Sequence, residues 1–164
     1  MFIADDFIYV HVPRTAGTFT NKLLRDIYPL GCSMNHFSRP SWLPGKYDGY
    51  PVHGFIRNPW DWYVSWAAHN DSLVLFNEFL VGRIGEYGEF LARTIDERTI
   101  IHRYENLIPE LSLITGESVS ELERRPVLNH KVHKNYRDYY TPRFIELVRE
   151  VESKIIEKYG YKFN

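Results

Sequence analysis

The sequence predicts an α/β fold with a parallel sheet, on two observations. Three runs of strand-forming character, Phe7–Val12, Val52–Ile56 and Thr99–Tyr104, are each followed by apolar residues at helical spacing. The joints carry turn and cap chemistry, Pro13 with Thr15-Ala16-Gly17-Thr18 at the first and Asn58-Pro59 at the second. Strands alternating with helices call for parallel pairing through right-handed crossovers.

Taken in order, FIYVHV reads as a buried strand that Pro13 ends. Phe19, Leu23, Leu24 and Ile27 then mark a helix. Residues 28–50 hold Pro29, Gly31, Pro40, Pro44, Gly45 and Gly49, the composition of a long surface excursion of the kind that carries substrate contacts. Val52–Ile56 is the second strand. Asn58 caps, and Pro59 opens, a helix to about His69, with Asp61 complementing its dipole. Residues 71–93 show an apolar stripe interrupted by Gly82, Gly85 and Gly88. Leu107–Thr115 and Ser118–Arg124 read as short helices. Thr141-Pro142 opens a last helix that Gly160 stops. There is no internal repeat, and the whole chain, 1–164, reads as a single domain.

Composition narrows the function classes. The chain is 44% apolar and 25% charged, which excludes disordered and fibrous classes, and 16% aromatic, enough for a core with rings to spare for binding. A single cysteine, Cys32, excludes an intramolecular disulfide framework and a multi-cysteine zinc site, and fits a reducing compartment. No apolar run approaches the roughly 20 residues of a membrane span. The start, MFIADDFIYV, has aspartates where a signal peptide carries lysine or arginine. A soluble, cytoplasmic protein without membrane or nucleic-acid partners is expected. The net charge is −1, but its distribution is uneven. Residues 1–123 carry ten basic against sixteen acidic side chains, and residues 124–164 ten against five. Basic residues from Arg124 to Arg143 suit either a local anion site or a solvated loop.

Two segments carry chemistry. In HVPRTAGTFT a strand end opens a helix, so the backbone N–H groups of the turn would face an anion. Gly17 permits close approach, Thr15, Thr18 and Thr20 supply hydroxyls, and Arg14 a fork of charge. This is not a GxxxxGK[ST] loop, because the basic residue precedes the glycine, so a Mg–nucleoside triphosphate enzyme is disfavoured. An ordinary strand-to-helix turn is the plain alternative. In FIRNPWDWYVS, Arg57 closes a strand and Ser65 lies close to two helical turns beyond Asn58. Asn58, Asp61, Trp62 and Ser65 then share a face, and Arg57 with Ser65 can clamp a phosphate. The plain alternative is an N-capped helix with Trp60 and Val64 packed inward and Ser65 inert.

PRTAGT after a strand resembles the 5′-phosphosulfate loop of sulfotransferases, PKTGGT or PKTAGT, and RNPWDWYVS resembles their 3′-phosphate motif, RNPxDxxVS. IIHRYENL looks like the family's third strand, often xxRFENL. NHKVHKNYRDYYTPRFIELV with EKYGYKF is similar to the C-terminal section of small bacterial and viral members and of carbohydrate sulfotransferases. The resemblance touches most of the chain, weakly over 66–98.

This resemblance implies a P-loop-like three-layer domain, a central parallel β-sheet flanked by helices, that binds 3′-phosphoadenosine 5′-phosphosulfate (PAPS). The implied reaction is in-line sulfuryl transfer to a hydroxyl or amine of a small-molecule or glycan acceptor, releasing 3′,5′-bisphosphoadenosine, with no metal. It assigns cofactor binding to Arg14, Thr15, Ala16, Gly17, Thr18 and Phe19 in the first loop, and to Arg57 and Ser65 in the second. Lys131, Lys134 and Arg137 are further candidates to reach the 3′-phosphate or an anionic acceptor. Family members usually have lysine where this chain has Arg14. Arginine stabilises charge but gives up a proton far less readily. A binding-only module is therefore kept beside the enzyme, and a P-loop kinase or NTPase stands third.

Transfer to a hydroxyl needs a base. The resemblance points to His36, in MNHFSRP between the two motifs, with Arg14 as its catalytic partner; His53 is the rival, on a strand where a structural packing role suits it better. His11 precedes the first loop and is placed to orient it. His102 reads as strand packing, and His69 as a cation at a helix end. His130 and His133 have HxxH spacing without a carboxylate or cysteine partner, so phosphate contact suits them better than metal. Trp42, Trp60 and Trp62 are candidates to stack on adenine or a sugar, with Trp60 also suited to the core.

Overall fold

The computed structural model describes residues 1–34, 40–126 and 131–164. The chain divides into two compact units, Met1–Ile56 with Phe90–Asn129, and Arg57–Glu89 with His130–Asn164.

The first unit is built on a mixed five-stranded sheet of β1 (Phe2–Ile3), β2 (Ile8–Val10), β3 (Cys32–Ser33), β4 (Val52–Ile56) and β5 (Thr99–Arg103), in the order β3-β1-β2-β4-β5. The α/β class expected from the sequence is what the chain adopts. The parallel part is β2-β4-β5, with Ile8 opposite Val52 and Val52 opposite Thr99. The sheet is not parallel throughout. β1 runs antiparallel to both β2 and β3, with Phe2 facing Tyr9 on one side and Ser33 on the other. A four-residue connection from β1 to β2 reverses the chain, and so short a link permits only antiparallel pairing.

Strand alternation sorts the apolar side chains into two clusters. Phe2, Phe7, Tyr9 and Phe55 pack with Phe19, Leu23 and Leu24 of α1 (Gly17–Ile27), Leu111 of α5 (Leu107–Thr115) and Leu122 of α6 (Val119–Glu123). Ile3, Ile8, Val10 and Val52 pack instead against Leu43, Tyr47, Tyr50 and Ile95. Leu43, Tyr47 and Tyr50 of that cover come from the Pro- and Gly-rich excursion, which forms short 3₁₀ turns at Pro40–Trp42 and Gly45–Tyr47.

The second unit holds α2 (Pro59–His69), α3 (Phe76–Arg83), the start of α4 (Glu86–Thr94), α7 (Pro142–Val151) and α8 (Ser153–Tyr159). Among the described residues its buried aromatics are Trp60, Trp62, Tyr63, Phe76, Tyr87 and Tyr161. Trp62 stacks on both Trp66, at 5.0 Å between ring centres, and Tyr87, at 4.7 Å. The stripe over 71–93 is broken at Gly85, whose φ of 94° lies where a glycine has no Cβ penalty. The expected C-terminal helix is two helices. The chain breaks at Glu152, and Gly160 ends α8 in the left-handed conformation.

Among the described residues no helix is long and apolar enough to cross a membrane.

Candidate anion-binding segments

The first segment follows β2. Arg14 and Ala16 both take positive φ, 63° and 60°, and alternate with Thr15 through the turn. Such left-handed residues turn successive N–H groups inward, the geometry of an anion-binding concavity. Ala16 is the N-cap of α1 and accepts from Thr20 N–H at 2.9 Å, but it offers no side-chain cap. Helix geometry leaves the N–H groups of Gly17, Thr18 and Phe19 without intrahelical acceptors. No acidic residue sits in this first turn, and Arg14 adjoins it. The local electrostatics therefore favour a negative ligand.

Individual side chains play roles the sequence did not reveal. Thr15 is fully buried and donates its hydroxyl hydrogen to Val12 O at 2.8 Å, so it braces the turn rather than offering that hydrogen to a ligand. Phe19 points into the apolar core and leaves only its backbone at the turn. Thr18 is exposed, and Thr20 is buried. Gly17 has helical φ, and its reason is space: a Cβ there would lie 1.7 Å from His11 Cδ2 and 1.8 Å from His11 Nε2. The His11 imidazole, 6% exposed, is wedged under the turn, with its Nδ1 3.3 Å from the Asn21 amide nitrogen. The expectation that His11 orients the loop thus has a physical basis in contact with Gly17.

The second segment lies at Arg57, directly after β4. Asn58 caps α2 as expected, accepting from Trp60 N–H at 3.1 Å, and its amide donates to Lys162 O at 2.9 Å. Arg57 is 7% exposed and donates from Nε to Asp61 at 2.7 Å. Asp61, read from the sequence as a dipole partner, also fixes the direction of the guanidinium. The backbone of Arg57 is held by Tyr87, whose hydroxyl accepts from Arg57 N–H and donates to Arg57 O. Tyr87 lies thirty residues away and gave no sequence signal. Ser65 is buried on the same helix.

Other expectations fare differently. Trp60 and Trp62 are core residues, because the flat rings of α2 find one another and Trp60 Nε1 donates to Ile145 O at 3.1 Å. They are not available to stack on a ligand, whereas Trp42 is exposed. Lys131 pairs with Asp71 at 2.9 Å on the surface, and Lys134 is exposed with its N–H donated to the Tyr139 hydroxyl. His36 and His130 lie outside the described residues. Among the described residues no group of three or more His, Cys, Asp or Glu side chains is placed to hold a metal ion. Compared with protein-family models, curated proteins and solved structures, the chain matches none.

Proposed function

We propose that the chain is a sulfotransferase that uses PAPS as donor. The observation that supports it most is the turn after β2, where two left-handed residues lead into a helix start with no side-chain cap and no acid. Such a turn suits a dianionic phosphosulfate held by backbone N–H groups. Arg57, oriented by Asp61 and Tyr87, supplies the second cation of the reading, for the 3′-phosphate. A P-loop-like three-layer arrangement is part of this proposal.

In the reaction proposed, the acceptor oxygen or nitrogen forms a bond to sulfur while the bond from sulfur to the bridging phosphate oxygen breaks. The acceptor's proton leaves to a base, assigned to His36, and 3′,5′-bisphosphoadenosine departs. Arg14 and the loop N–H groups stabilise the charge that gathers on the leaving oxygen and the sulfuryl oxygens. The acceptor is a small-molecule or glycan hydroxyl, or an amine.

Arginine at position 14 favours a second reading, a module that binds PAPS without turning it over. Mass-spectrometric detection of bisphosphate release and acceptor sulfation, over a panel of sugars and phenols, separates the two. Turnover by the native chain supports the enzyme. Turnover only in Arg14→Lys supports the binding module as a degenerated enzyme. No turnover in either, with PAPS bound, removes the enzyme reading.

A further inference from the structure

A second group of polar side chains, none of them assigned above to the donor site, is threaded through the first unit. β4 and β5 place Phe55 opposite His102 and His53 opposite Ile100, so His53, Phe55 and His102 share one sheet face. α5 covers that face through Leu111. His53 Nδ1 lies 2.9 Å from His102 Nε2, and His102 Nδ1 lies 2.6 Å from Glu110 Oε2. The ring of Phe7 meets His53 edge-on at 5.9 Å, and the ring of Phe55 lies against His102 at 5.4 Å. His102 has 11% of its side chain exposed and Glu110 26%. Glu110 from α5 and Asp6 from the turn between β1 and β2 are charged groups that act on this chain of side chains.

We propose that Glu110, His102 and His53 form a proton relay that clamps α5, β5 and β4 together and opens in acid. Hydrogen-bond logic fixes the neutral state. Ionised Glu110 accepts from His102 Nδ1–H, which leaves His102 Nε2 as acceptor for His53 Nδ1–H. Both rings then carry hydrogen on Nδ1, and His53 Nε2 holds a lone pair.

One added proton fits without loss of either bond. It enters at His53 Nε2, the shared hydrogen crosses from His53 Nδ1 to His102 Nε2, and the charge comes to rest beside the Glu110 carboxylate. A second proton has no such place. His53 Nδ1 and His102 Nε2 would each carry hydrogen, the bond between them breaks, and two cations face each other. Burial first, and repulsion from His102 second, push the His53 imidazole down to about 4, with Asp6 acting the other way. The unfolded chain would protonate His53 near the ordinary value of about 6.5, so it binds more protons than the folded chain between those limits. The clamp is therefore at full strength above about 6.5, weakens as pH falls, and is open below about 4.

Nitrogen-15 correlation spectra of the histidine rings in the intact chain, from pH 7.5 to 4, test this directly. The expected result is an Nδ1–H tautomer in both rings and a scalar coupling across the bond from His53 Nδ1 to His102 Nε2. The first added proton moves the His53 hydrogen from Nδ1 to Nε2 with the coupling retained, and the coupling disappears near pH 4. An absent coupling, or a His53 ring that keeps its Nδ1–H as it takes up the first proton, would overturn the proposal. In urea denaturation, the native midpoint is expected to fall relative to that of His53→Gln between pH 6.5 and 4; an offset constant with pH would also overturn it. Neither readout involves a nucleotide, so the clamp can fail while the donor reading stands, and the reverse.

Discussion

The hydroxyl of Tyr87 closes on both backbone polar groups of Arg57, accepting from its N–H and donating to its carbonyl, each at 2.8 Å. A buried tyrosine, stacked on Trp62, thereby satisfies the backbone of a buried arginine at the point where a strand has ended and a helix has not begun. The Arg57 guanidinium is separately anchored on Asp61.

Tyr87→Phe keeps the ring and its stack but removes the hydroxyl that bonds both the N–H and the carbonyl of Arg57. The expected cost is about 1–3 kcal/mol, read as a lower urea midpoint. Affinity for 3′,5′-bisphosphoadenosine is expected to fall with it, because the backbone that carries the guanidinium loses its brace. An unchanged midpoint would mean that water replaces the hydroxyl and that Tyr87 does not brace Arg57.

Gly17→Ala drives a methyl group into the His11 ring. Overpacking of this kind costs about 1–3 kcal/mol. It is expected to displace the first turn of α1 and to abolish binding of bisphosphate. The double variant Gly17→Ala/His11→Ala removes the ring that the methyl meets, and is expected to recover stability. If the double variant is as unstable as the sum of the two single ones, the contact between His11 and Gly17 is not the reason for glycine at 17.

Glu152 gives a pH dependence with a definite sign. Burial pushes its carboxyl above the ordinary range, while the Tyr63 hydroxyl, 2.5 Å away, and the N–H groups of Gly88 and Gly85 act the other way. The folded chain thus holds the proton more tightly than the unfolded chain. This contribution is fully present below the unfolded value of 4.5 and is lost as pH rises through the folded one. Glu152→Gln keeps an acceptor for Tyr63 and removes the charge. Its urea midpoint is expected to gain on the native chain between pH 4 and pH 7.5. A gain in the opposite direction would show that the ionised carboxylate is favoured by its surroundings.

The parts legible in the sequence are those where local chemistry and tertiary packing agree. β4 and α2 are adjacent and declare themselves through a β-branched run and an Asn-Pro start, and both appear where the pattern puts them. β1 and β3 are two residues each, too short for any alternation to register. The break between α7 and α8 falls at an acid in an otherwise apolar stripe. Glu152 is buried because Tyr63, eighty-nine residues away, donates to it. The same limit governs the candidate site. Arg14 and Arg57 could be found from local pattern, but Tyr87 beneath Arg57 could not. His11 beneath Gly17 stands only six residues away, and its place before the loop marks it as an orienting group. That its ring takes the space of a side chain at position 17 has no local signature. His53 and His102 read as strand packing because their partnership with Glu110 crosses from β4 to β5 to α5.

The central claim is that this chain recognises a 3′-phosphorylated adenosine nucleotide. Isothermal titration of the native chain and of Arg57→Ala with 3′,5′-bisphosphoadenosine, AMP, ADP and magnesium ATP tests it most directly. The bisphosphate is expected to bind at least about tenfold, or 1.4 kcal/mol, tighter than AMP, and Arg57→Ala to remove this preference. Equal affinity for AMP and the bisphosphate, or a preference that survives in Arg57→Ala, would contradict it.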